Sequence, residues 1–345
     1  MSENGAGGAS RDEVLAELGS AEKLIVVTHE NVDGDALGSL VATQEILEAL
    51  GRDSLMFIAV GEFPLPHEYR FFALPGLVQA PPEDLDERTI VFLDCGNLER
   101  NPAEAFQRPG AHILNIDHHH DNTNFGTVNL VDPAASCTAE IVWDLMYGLG
   151  VDPTRSIAEA LYVGLITDTG RFMYENTSPR AHIMAAELIE AGVDVPGVYR
   201  RLYEELPPEK LALYALALGR VQRFDDGQLT LSVLSAEDFA RAEADDAYSE
   251  GIIDQLRAVQ GTKVAVLVRE LTAGERKGQH KVSLRATDDD VDVSAIARAQ
   301  GGGGHRRAAG FTSAQPLAEL IESLRAAVAT QLHVVSGEHT APAPA

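Results

Sequence analysis

Short apolar runs, three of them followed directly by a histidine or an aspartate, constrain the fold of this 345-residue chain more than any other feature. Four such runs predict buried strands, and they span Lys23–Thr28, Ser54–Val60, Thr89–Leu93 and His112–Ile116. Helical patterns alternate with the runs, at about Ala36–Leu50, Ser136–Leu149, Arg155–Ile166 and Pro179–Ala191. This alternation predicts an α/β fold in which helices cover a parallel sheet on both faces.

The second half of the chain predicts a smaller α+β domain. Its strands lie near Gln228–Leu234, Lys263–Leu271 and His280–Ala286, and they precede a glycine-rich loop and a helix from about Leu317 to Gln331. A mostly helical stretch, broken by Pro207 and Pro208, comes before these strands. The chain is therefore predicted to contain a disordered N-terminus at 1–12, an α/β domain at 13–195, a helical linker at 196–225, the α+β domain at 226–335 and a disordered tail at 336–345.

Composition limits the partners. The formal net charge of −26 argues against binding to long nucleic acid, which needs a broad basic surface. A short anionic ligand is still compatible with an acidic protein if metals and a few arginines make the potential locally positive. No apolar run approaches the roughly 20 residues of a membrane span, and the polar N-terminus does not resemble a signal peptide. We therefore expect a cytoplasmic protein with no membrane partner, in which Cys95 and Cys137 are buried thiols.

The segment from His29 to Asp35 carries three metal-binding side chains between a predicted strand and a predicted helix. In open α/β sheets, ligands bind beyond the carboxyl ends of the strands. The side chains of His29, Asp33 and Asp35 can converge if the loop curls, and Gly34 would permit that curl. The alternative is a solvated turn in which Asp35 caps the following helix.

Three further segments place similar residues at comparable positions. Asp94 closes the third apolar run, and Asp117, His118 and His119 follow the fourth. Asp168 lies at the end of an apolar helical run, where the helix dipole disfavours an acid and a bound cation would compensate. Each segment alone is compatible with a polar turn or a helix end. Together they predict one site, because the ends of parallel strands meet at one edge of a sheet.

The donor set indicates two divalent ions, since four carboxylates balance their charge. Mixed nitrogen and oxygen donors without cysteine suit Mn²⁺, Mg²⁺, Co²⁺ or Zn²⁺, and the two histidines disfavour Mg²⁺ among these. Two such ions can clamp the attacking and leaving oxygens of a displacement at phosphorus. We expect Asp94 to bridge the ions, with His29 and Asp33 on one ion and Asp35, His118 and Asp168 on the other. His119 would contact the substrate phosphate or protonate the leaving oxygen, and Asp117 would orient a neighbouring imidazole.

A substrate-binding site is predicted around Gly301–Gly304. Glycines let the backbone approach a ligand and direct N–H groups at an anion. The stretch Ser294–Phe311 holds three arginines and no acid, and a plain linker would need no such cluster. Arg285 could hold a phosphate or stack on a base, or it could be an ordinary surface arginine. The predicted substrate-binding residues are Arg285, Gly302, Gly303, Gly304, His305 and Arg306.

The segments HENVDGDALGS, FLDCGN, IDHHH and ITDTG resemble the four ordered motifs of the DHH phosphoesterase superfamily. GGGGHRRAAG resembles the glycine-rich motif of the DHH-associated C-terminal domain, so the resemblance covers about residues 20 to 335. It implies a dimanganese site on the matching residues, which are the ligands named above. Val32 departs from the pattern, since relatives usually have proline there.

Within the superfamily, the size and the compact second domain are most like those of bacterial nano-RNase/pAp phosphatases. That resemblance implies hydrolysis of RNAs of two to four nucleotides to mononucleotides, and of adenosine 3′,5′-bisphosphate (pAp) to AMP. It is also compatible with a homodimer. A phosphodiesterase for cyclic or linear dinucleotides is an alternative, because both activities need a small-anion pocket. An alternative of another class, a non-catalytic nucleotide- or RNA-binding module, is disfavoured by the complete ligand set.

Overall fold

The computed structural model describes residues 11–101, 103–274, 276–288 and 290–338. The chain divides into two compact units, Met1–Glu205 and Leu206–Ala345, which we call the first and second units. Most of the two segments predicted to be disordered, residues 1–10 and 339–345, lies outside the described residues. The prediction is wrong for residues 11–12 and 336–338, which are helical. Arg11 is held there because its guanidinium pairs with Asp144.

A parallel sheet forms the centre of the first unit, as predicted. Its strands are β1 (Lys23–Val27), β2 (Asp53–Phe57), β3 (Leu77–Val78), β4 (Thr89–Leu93), β5 (Ile113–Asp117) and β6 (Val128–Val131). Their order is β3-β2-β1-β4-β5-β6, and every neighbouring pair is parallel. The central strands β1, β4 and β5 are almost wholly buried, as continuous apolar runs predict.

Helices pack against one face of this sheet. They are α1 (Arg11–Ser20), α2 (Gly34–Ala49), α3 (Thr138–Gly148), α4 (Arg155–Asp168), α5 (Pro179–Glu190) and α6 (Val195–Tyr199). Alternate strand residues such as Leu24 and Val26 join the helix-side core. Ile25 and Val27 face the opposite side, where connecting segments around Phe106 cover the sheet. The prediction of helices on both faces is therefore wrong for the described part of the chain, because no α-helix joins the core on this side. Cys95 and Cys137 are buried free thiols, as predicted.

The second unit is built on a mixed sheet with helices, which confirms the α+β prediction. Its strands are β7 (Gln222–Phe224), β8 (Leu229–Leu234), β9 (Val264–Glu270), β10 (His280–Ala286), β11 (Gly303–His305) and β12 (Ala308–Ser313). They are ordered β11-β12-β10-β9-β8-β7, and β8 with β9 is the one parallel pair among the described strands of this second sheet.

Two apolar cores flank this second sheet. The helices are α7 (Pro208–Leu218), α8 (Ala236–Ala242), α9 (Ile252–Arg257), α10 (Val293–Ala299) and α11 (Leu317–Glu338). One core joins α10 and α11 to the sheet, and the other joins α7, α8 and α9 to it. Among the helices that the structure describes, none combines the length and apolarity needed to cross a membrane.

Candidate metal centre

The carboxyl ends of three neighbouring strands bring the predicted ligands to one edge of the first sheet. His29 follows β1, Asp94 follows β4, and His118 follows β5. Asp94 adopts a φ of 57°, a conformation that is uncommon outside glycine. Such backbone strain persists where the surrounding structure holds it, and it clusters at functional sites. The edge therefore gathers the strand-end residues, as the parallel topology predicts.

Asp94 lies between two imidazoles. Its Oδ2 is 3.4 Å from Nε2 of His29, and its Oδ1 is 3.6 Å from Nε2 of His118. The Thr138 hydroxyl donates to Oδ1 at 3.0 Å and fixes the carboxylate. The Nδ1 of His29 donates to the carbonyl of Glu30 at 2.7 Å, so Nε2 carries the lone pair when the ring is neutral. One carboxylate thus presents an oxygen to each of two neighbouring ligand groups.

Asp33 and Asp35 perform different local tasks. Asp33 caps α2, because its Oδ1 accepts from the N–H groups of Asp35 and Ala36, and its Oδ2 lies 4.0 Å from Nε2 of His29. Asp35 is only 1% exposed, and its carboxylate accepts from the N–H groups of Thr138 (2.7 Å) and Ala139 (2.9 Å) at the start of α3. The alternative in which Asp35 caps the next helix is therefore wrong, since Asp33 occupies that position.

Close packing of α2 against α4 places Asp168 in the cluster. A Cβ on Gly34 would lie 2.3 Å from Oγ1 of Thr167, and one on Gly164 would lie 2.8 Å from Oδ1 of Asp35. The expectation that Gly34 curls the loop is wrong, because Gly34 begins α2 and Asn31 supplies the left-handed φ of 57°. The glycines instead let the two helices approach each other closely.

Asp168 ends α4 and faces His118, with 3.8 Å between its Oδ2 and Nε2 of the imidazole. Asn176 holds it, since its Nδ2 donates to Oδ2 (3.0 Å) and to the main-chain carbonyl of Asp168 (3.1 Å). The same Nδ2 donates to the carbonyl of Ser136 at 2.7 Å. The carboxylate therefore has a fixed position at the end of its helix.

Among the residues that the structure describes, three groups of side chains could each hold a metal ion, since the donor atoms of each group lie within 4.8 Å of one another. The first group is His29, Asp33 and Asp94, the second is Asp35, His118 and Asp168, and the third is Asp94, His118 and His119. The first two groups contain the six predicted ligands, and the third group shares Asp94 with the first and His118 with the second. Imidazole and carboxylate donors of this kind suit Mn²⁺ and related divalent ions.

The electrostatics of the cluster fit a site for cations. Burial and the neighbouring carboxylates of Asp94 and Asp168 raise the pKa of Asp35 well above its usual range. Burial likewise raises the pKa of Asp168 to about 7 against the opposing charge of His118. Burial opposes charge on His118, but the carboxylates of Asp168 and Asp94 raise its pKa to about 9. Divalent cations would relieve this repulsion between buried carboxylates.

His119 is oriented by Asp117. Its Nδ1 donates to Oδ1 of Asp117 at 2.6 Å, and Nδ2 of Asn122 donates to Oδ2 of the same carboxylate at 2.5 Å. Asp117 is fully buried, and although burial opposes its charge, the hydrogen bond from His119 lowers its pKa. This geometry agrees with the expectation that Asp117 orients a neighbouring imidazole.

Several residues that support the cluster had no signal in the sequence. Glu62 accepts with Oε2 from the N–H groups of Asn31 (2.8 Å) and Val32 (3.3 Å), in the loop between His29 and Asp33. Valine at position 32 keeps a donor that proline would lack, and Glu62 satisfies it. Glu62, Asn122 and Asn176 are ordinary polar residues that tertiary contacts alone bring to these positions.

The glycine-rich segment of the second unit is a β-hairpin, where a loop was predicted. Gly303 pairs with Gly310, Gly304 with Ala309, and His305 with Ala308. A Cβ on Gly302 would lie 2.2 Å from the carbonyl oxygen of Gly310, and one on Gly304 would lie 2.5 Å from that of Ala308. Close strand packing thus requires Gly302 and Gly304, whereas a Cβ on Gly303 would meet open space.

Arg285 is half-buried in β10 and pairs with Ala308, which pairs in turn with His305. The side chain of His305 lies outside the described part of the structure. Arg306 is exposed. Asp292 lies just before the stretch that contains no acid, and its Oδ2 is 3.6 Å from Nη2 of Arg298. Arg298 therefore adds less positive charge to this stretch than predicted.

Comparison with known proteins gives matches in both units of the chain. The model of the DHH family, N-terminal domain, matches residues 23–165, and that of the DHHA1 domain matches residues 227–333. The bifunctional oligoribonuclease and PAP phosphatase NrnA of Thermus thermophilus is 35% identical over 293 residues, covering 84% of this chain and 83% of that protein. The chain belongs to the DHH/DHHA1 phosphoesterase family.

Other known proteins align along most of the chain. The bifunctional oligoribonuclease and PAP phosphatase NrnA of Bacillus subtilis is 25% identical, covering 87% of this chain and 92% of its own. An exopolyphosphatase-related protein from Bacteroides fragilis shares the fold with a TM-score of 0.82 at 22% identity, covering 94% and 97% of the two chains. The exonuclease RecJ bound to manganese aligns with a TM-score of 0.52 at 16% identity, covering 96% of each chain.

Proposed function

We propose that this DHH phosphoesterase binds two Mn²⁺ ions and hydrolyses short oligoribonucleotides to mononucleotides and pAp to AMP and phosphate. The relatives that are named oligoribonuclease and PAP phosphatase support this substrate class. The net charge of −26 supports it as well, because a strongly acidic protein is suited to short anions better than to long nucleic acid.

The observation that carries the proposal is the position of Asp94 between His29 and His118. A carboxylate that presents one oxygen to each of two donor groups is suited to bridging two ions. His29 and Asp33 would complete one ion, and Asp35, His118 and Asp168 the other. When bound, such ions supply Lewis-acid stabilisation of charge on the phosphate oxygens.

The chain's own catalytic groups would be His119 and Asp117, together with Asp94. Asp117 holds the Nδ1–H of His119, so the tautomer and the orientation of the ring are fixed. Burial opposes the charge of this imidazole, but the hydrogen bond to Asp117 raises its pKa above the usual range. A protonated His119 can contact a phosphate oxygen or donate a proton to the leaving oxygen.

The second unit would bind the part of the substrate that does not react. We assign the terminal phosphate or the second nucleotide to Arg285, Gly302, Gly303, Gly304, His305 and Arg306. Arginine forks suit bidentate contacts to phosphate, and glycines let the backbone approach an anion closely. Binding energy gained there can assist the reaction at the scissile phosphate.

A substrate panel tests the proposed function. Purified protein with Mn²⁺ is given dinucleotide RNA, pAp, cyclic di-AMP, pyrophosphate and a long single strand. We expect turnover of the dinucleotide and of pAp, with little on the long strand. No turnover of any compound would refute the enzyme, and preference for the cyclic dinucleotide or the long strand would refute this substrate class.

Variants of the hairpin test the role of the second unit. Gly303→Ala should leave stability unchanged, because the added Cβ would meet open space. It should raise the KM for pAp, because the Cβ would enter the space that we assign to the substrate. Gly302→Ala is the matched contrast and should lower stability instead, since its Cβ would collide with Gly310. Arg306→Ala should raise the KM for nucleotides and spare a nitrophenyl phosphate diester. Equal losses on both substrates would contradict the assignment of Arg306.

A further inference from the structure

The segment Gly170–Tyr174 directly follows the metal-centre residue Asp168 and has an unusual backbone. Gly170, Arg171 and Phe172 have φ values of 55°, 63° and 65°, so three consecutive residues are left-handed. Two of them are not glycine, and bulky residues rarely adopt this conformation. Such a run persists only where its surroundings hold it.

Hydrogen bonds hold this turn rigidly on the last turn of α4. The N–H groups of Gly170 and Arg171 donate to the carbonyls of Thr167 and Ile166. The N–H of Phe172 donates to the hydroxyl of Thr169. The N–H groups of Met173 and Tyr174 both donate to the Thr169 carbonyl at 3.0 Å. Every N–H group from position 170 to 174 is thus bonded to one of three residues, Ile166, Thr167 and Thr169.

Side-chain contacts fix the two strained residues. The guanidinium of Arg171 lies 5.0 Å from the ring centroid of Tyr203, which belongs to the π-helical turn Arg200–Glu204. The Phe172 ring stacks on His182, with 4.8 Å between the centroids and 25° between the planes. The next two side chains remain exposed, with Met173 at 65% and Tyr174 at 38%. The turn therefore presents an apolar and an aromatic side chain to solvent.

The Tyr174 ring lies against Gly170, two residues from Asp168. A Cβ on Gly170 would be only 2.4 Å from Cζ of Tyr174, so the ring packs directly on the glycine backbone. Asn176 follows the turn, and its side-chain amide donates hydrogen bonds to both the carboxylate and the main-chain carbonyl of Asp168. The ring thus has a fixed position on the segment that leads from Asp168 to Asn176.

We propose that Tyr174, with Met173 beside it, is a stacking platform for the nucleobase of the nucleotide whose phosphate is hydrolysed, an inference that rests on the proposed function. A rigid aromatic face suits a base of any type, because every base has a π-face. Ordering of the platform before binding reduces the entropy lost on association. The platform selects nucleotides over other phosphate esters without selecting among bases.

Binding of two products tests the platform without requiring turnover. The affinities of the Mn²⁺-loaded protein for AMP and for ribose 5-phosphate, which lacks only the base, are measured by calorimetry. Wild type should prefer AMP by roughly 5- to 150-fold, the range that stacking of one base on an aromatic ring provides. Tyr174→Ala should lose most of this preference, and Tyr174→Phe should keep it. Tyr147→Ala, which removes another exposed tyrosine of the first unit, is the control.

Kinetics on a dinucleotide and its abasic analogues provide the second measurement. Tyr174→Ala should lower kcat/KM for the intact dinucleotide by about the same factor as it lowers the preference for AMP. It should leave kcat/KM unchanged for the analogue that lacks the stacked base. An equal loss on all substrates would show a structural role and overturn the platform, as would an unchanged AMP preference in Tyr174→Ala. Absence of turnover in wild type would refute the proposed function, while the AMP preference would still decide the platform.

Discussion

Oδ2 of Asp94 lies 3.4 Å from Nε2 of His29, and the other oxygen of the same carboxylate faces His118 at 3.6 Å. Asp94 is 2% exposed and has a left-handed backbone, so its side chain is fixed in this position. Burial opposes its charge, but the hydrogen bond with His29 and the other imidazoles lower its pKa below the usual range. The carboxylate that joins the donor groups is therefore ionised before any cation arrives.

Asp168→Asn should stabilise the metal-free protein at alkaline pH. In the folded wild-type protein the pKa of the Asp168 carboxyl is raised to about 7, so the folded protein binds the carboxyl proton more tightly than the unfolded chain does. Stability from this group is lost as the pH rises from about 4 to about 7. Asparagine removes the repulsion, and urea unfolding with a chelator at pH 8 should show a gain of about 1–3 kcal/mol.

The gain from Asp168→Asn should be almost lost near pH 4, where the folded carboxyl is protonated and the unfolded carboxyl is about half protonated. Asp152→Asn, which removes an exposed charge of the same unit, is the control and should show no such pH dependence. A gain of equal size at both pH values would contradict the assignment to carboxylate repulsion.

Asp117→Asn should separate catalysis from metal binding. The variant disturbs the hydrogen bond that orients His119, while the predicted metal ligands stay in place. We expect activity to fall roughly 10- to 100-fold, the usual cost of losing such a supporting contact. The number of Mn²⁺ ions bound per chain should not change, and a loss of bound metal would instead identify Asp117 as a structural support of the ligands.

Glu62→Ala should weaken metal binding through the loop between His29 and Asp33. The variant removes the acceptor for the N–H groups of Asn31 and Val32, so the left-handed residue Asn31 loses its restraint. We expect Mn²⁺ affinity to fall about 10-fold. Glu62→Gln keeps an acceptor oxygen and should retain most of the affinity. Equal losses in the two variants would show that the charge of Glu62 matters, and its hydrogen bonds do not.

The parallel sheet was predictable because β1, β4 and β5 are continuous buried apolar runs, and the strand-end residues then follow from topology. The sequence does not predict the strands β3 and β6, because they are short and lie at the sheet edges. It predicts a loop at β11 and β12 because glycines are typical of flexible segments, whereas two of these glycines permit close strand packing.

The supporting residues of the site were not predictable for a different reason. Glu62 acts on a loop that lies 30 positions earlier in the chain, and Asn122 acts through Asp117. Asn176 lies beyond a turn whose left-handed backbone no local pattern indicates. Such residues are chosen by tertiary contacts, so their roles appear only when the chain is folded.

The number of Mn²⁺ ions bound per chain, measured by calorimetric titration of wild type and Asp94→Ala, tests the central claim most directly. The account predicts two ions in wild type and loss of tight binding at both positions in Asp94→Ala, because this carboxylate faces both donor groups. Asp152→Asn should bind as wild type does. One ion or none in wild type, or two ions with unchanged affinity in Asp94→Ala, would contradict the account.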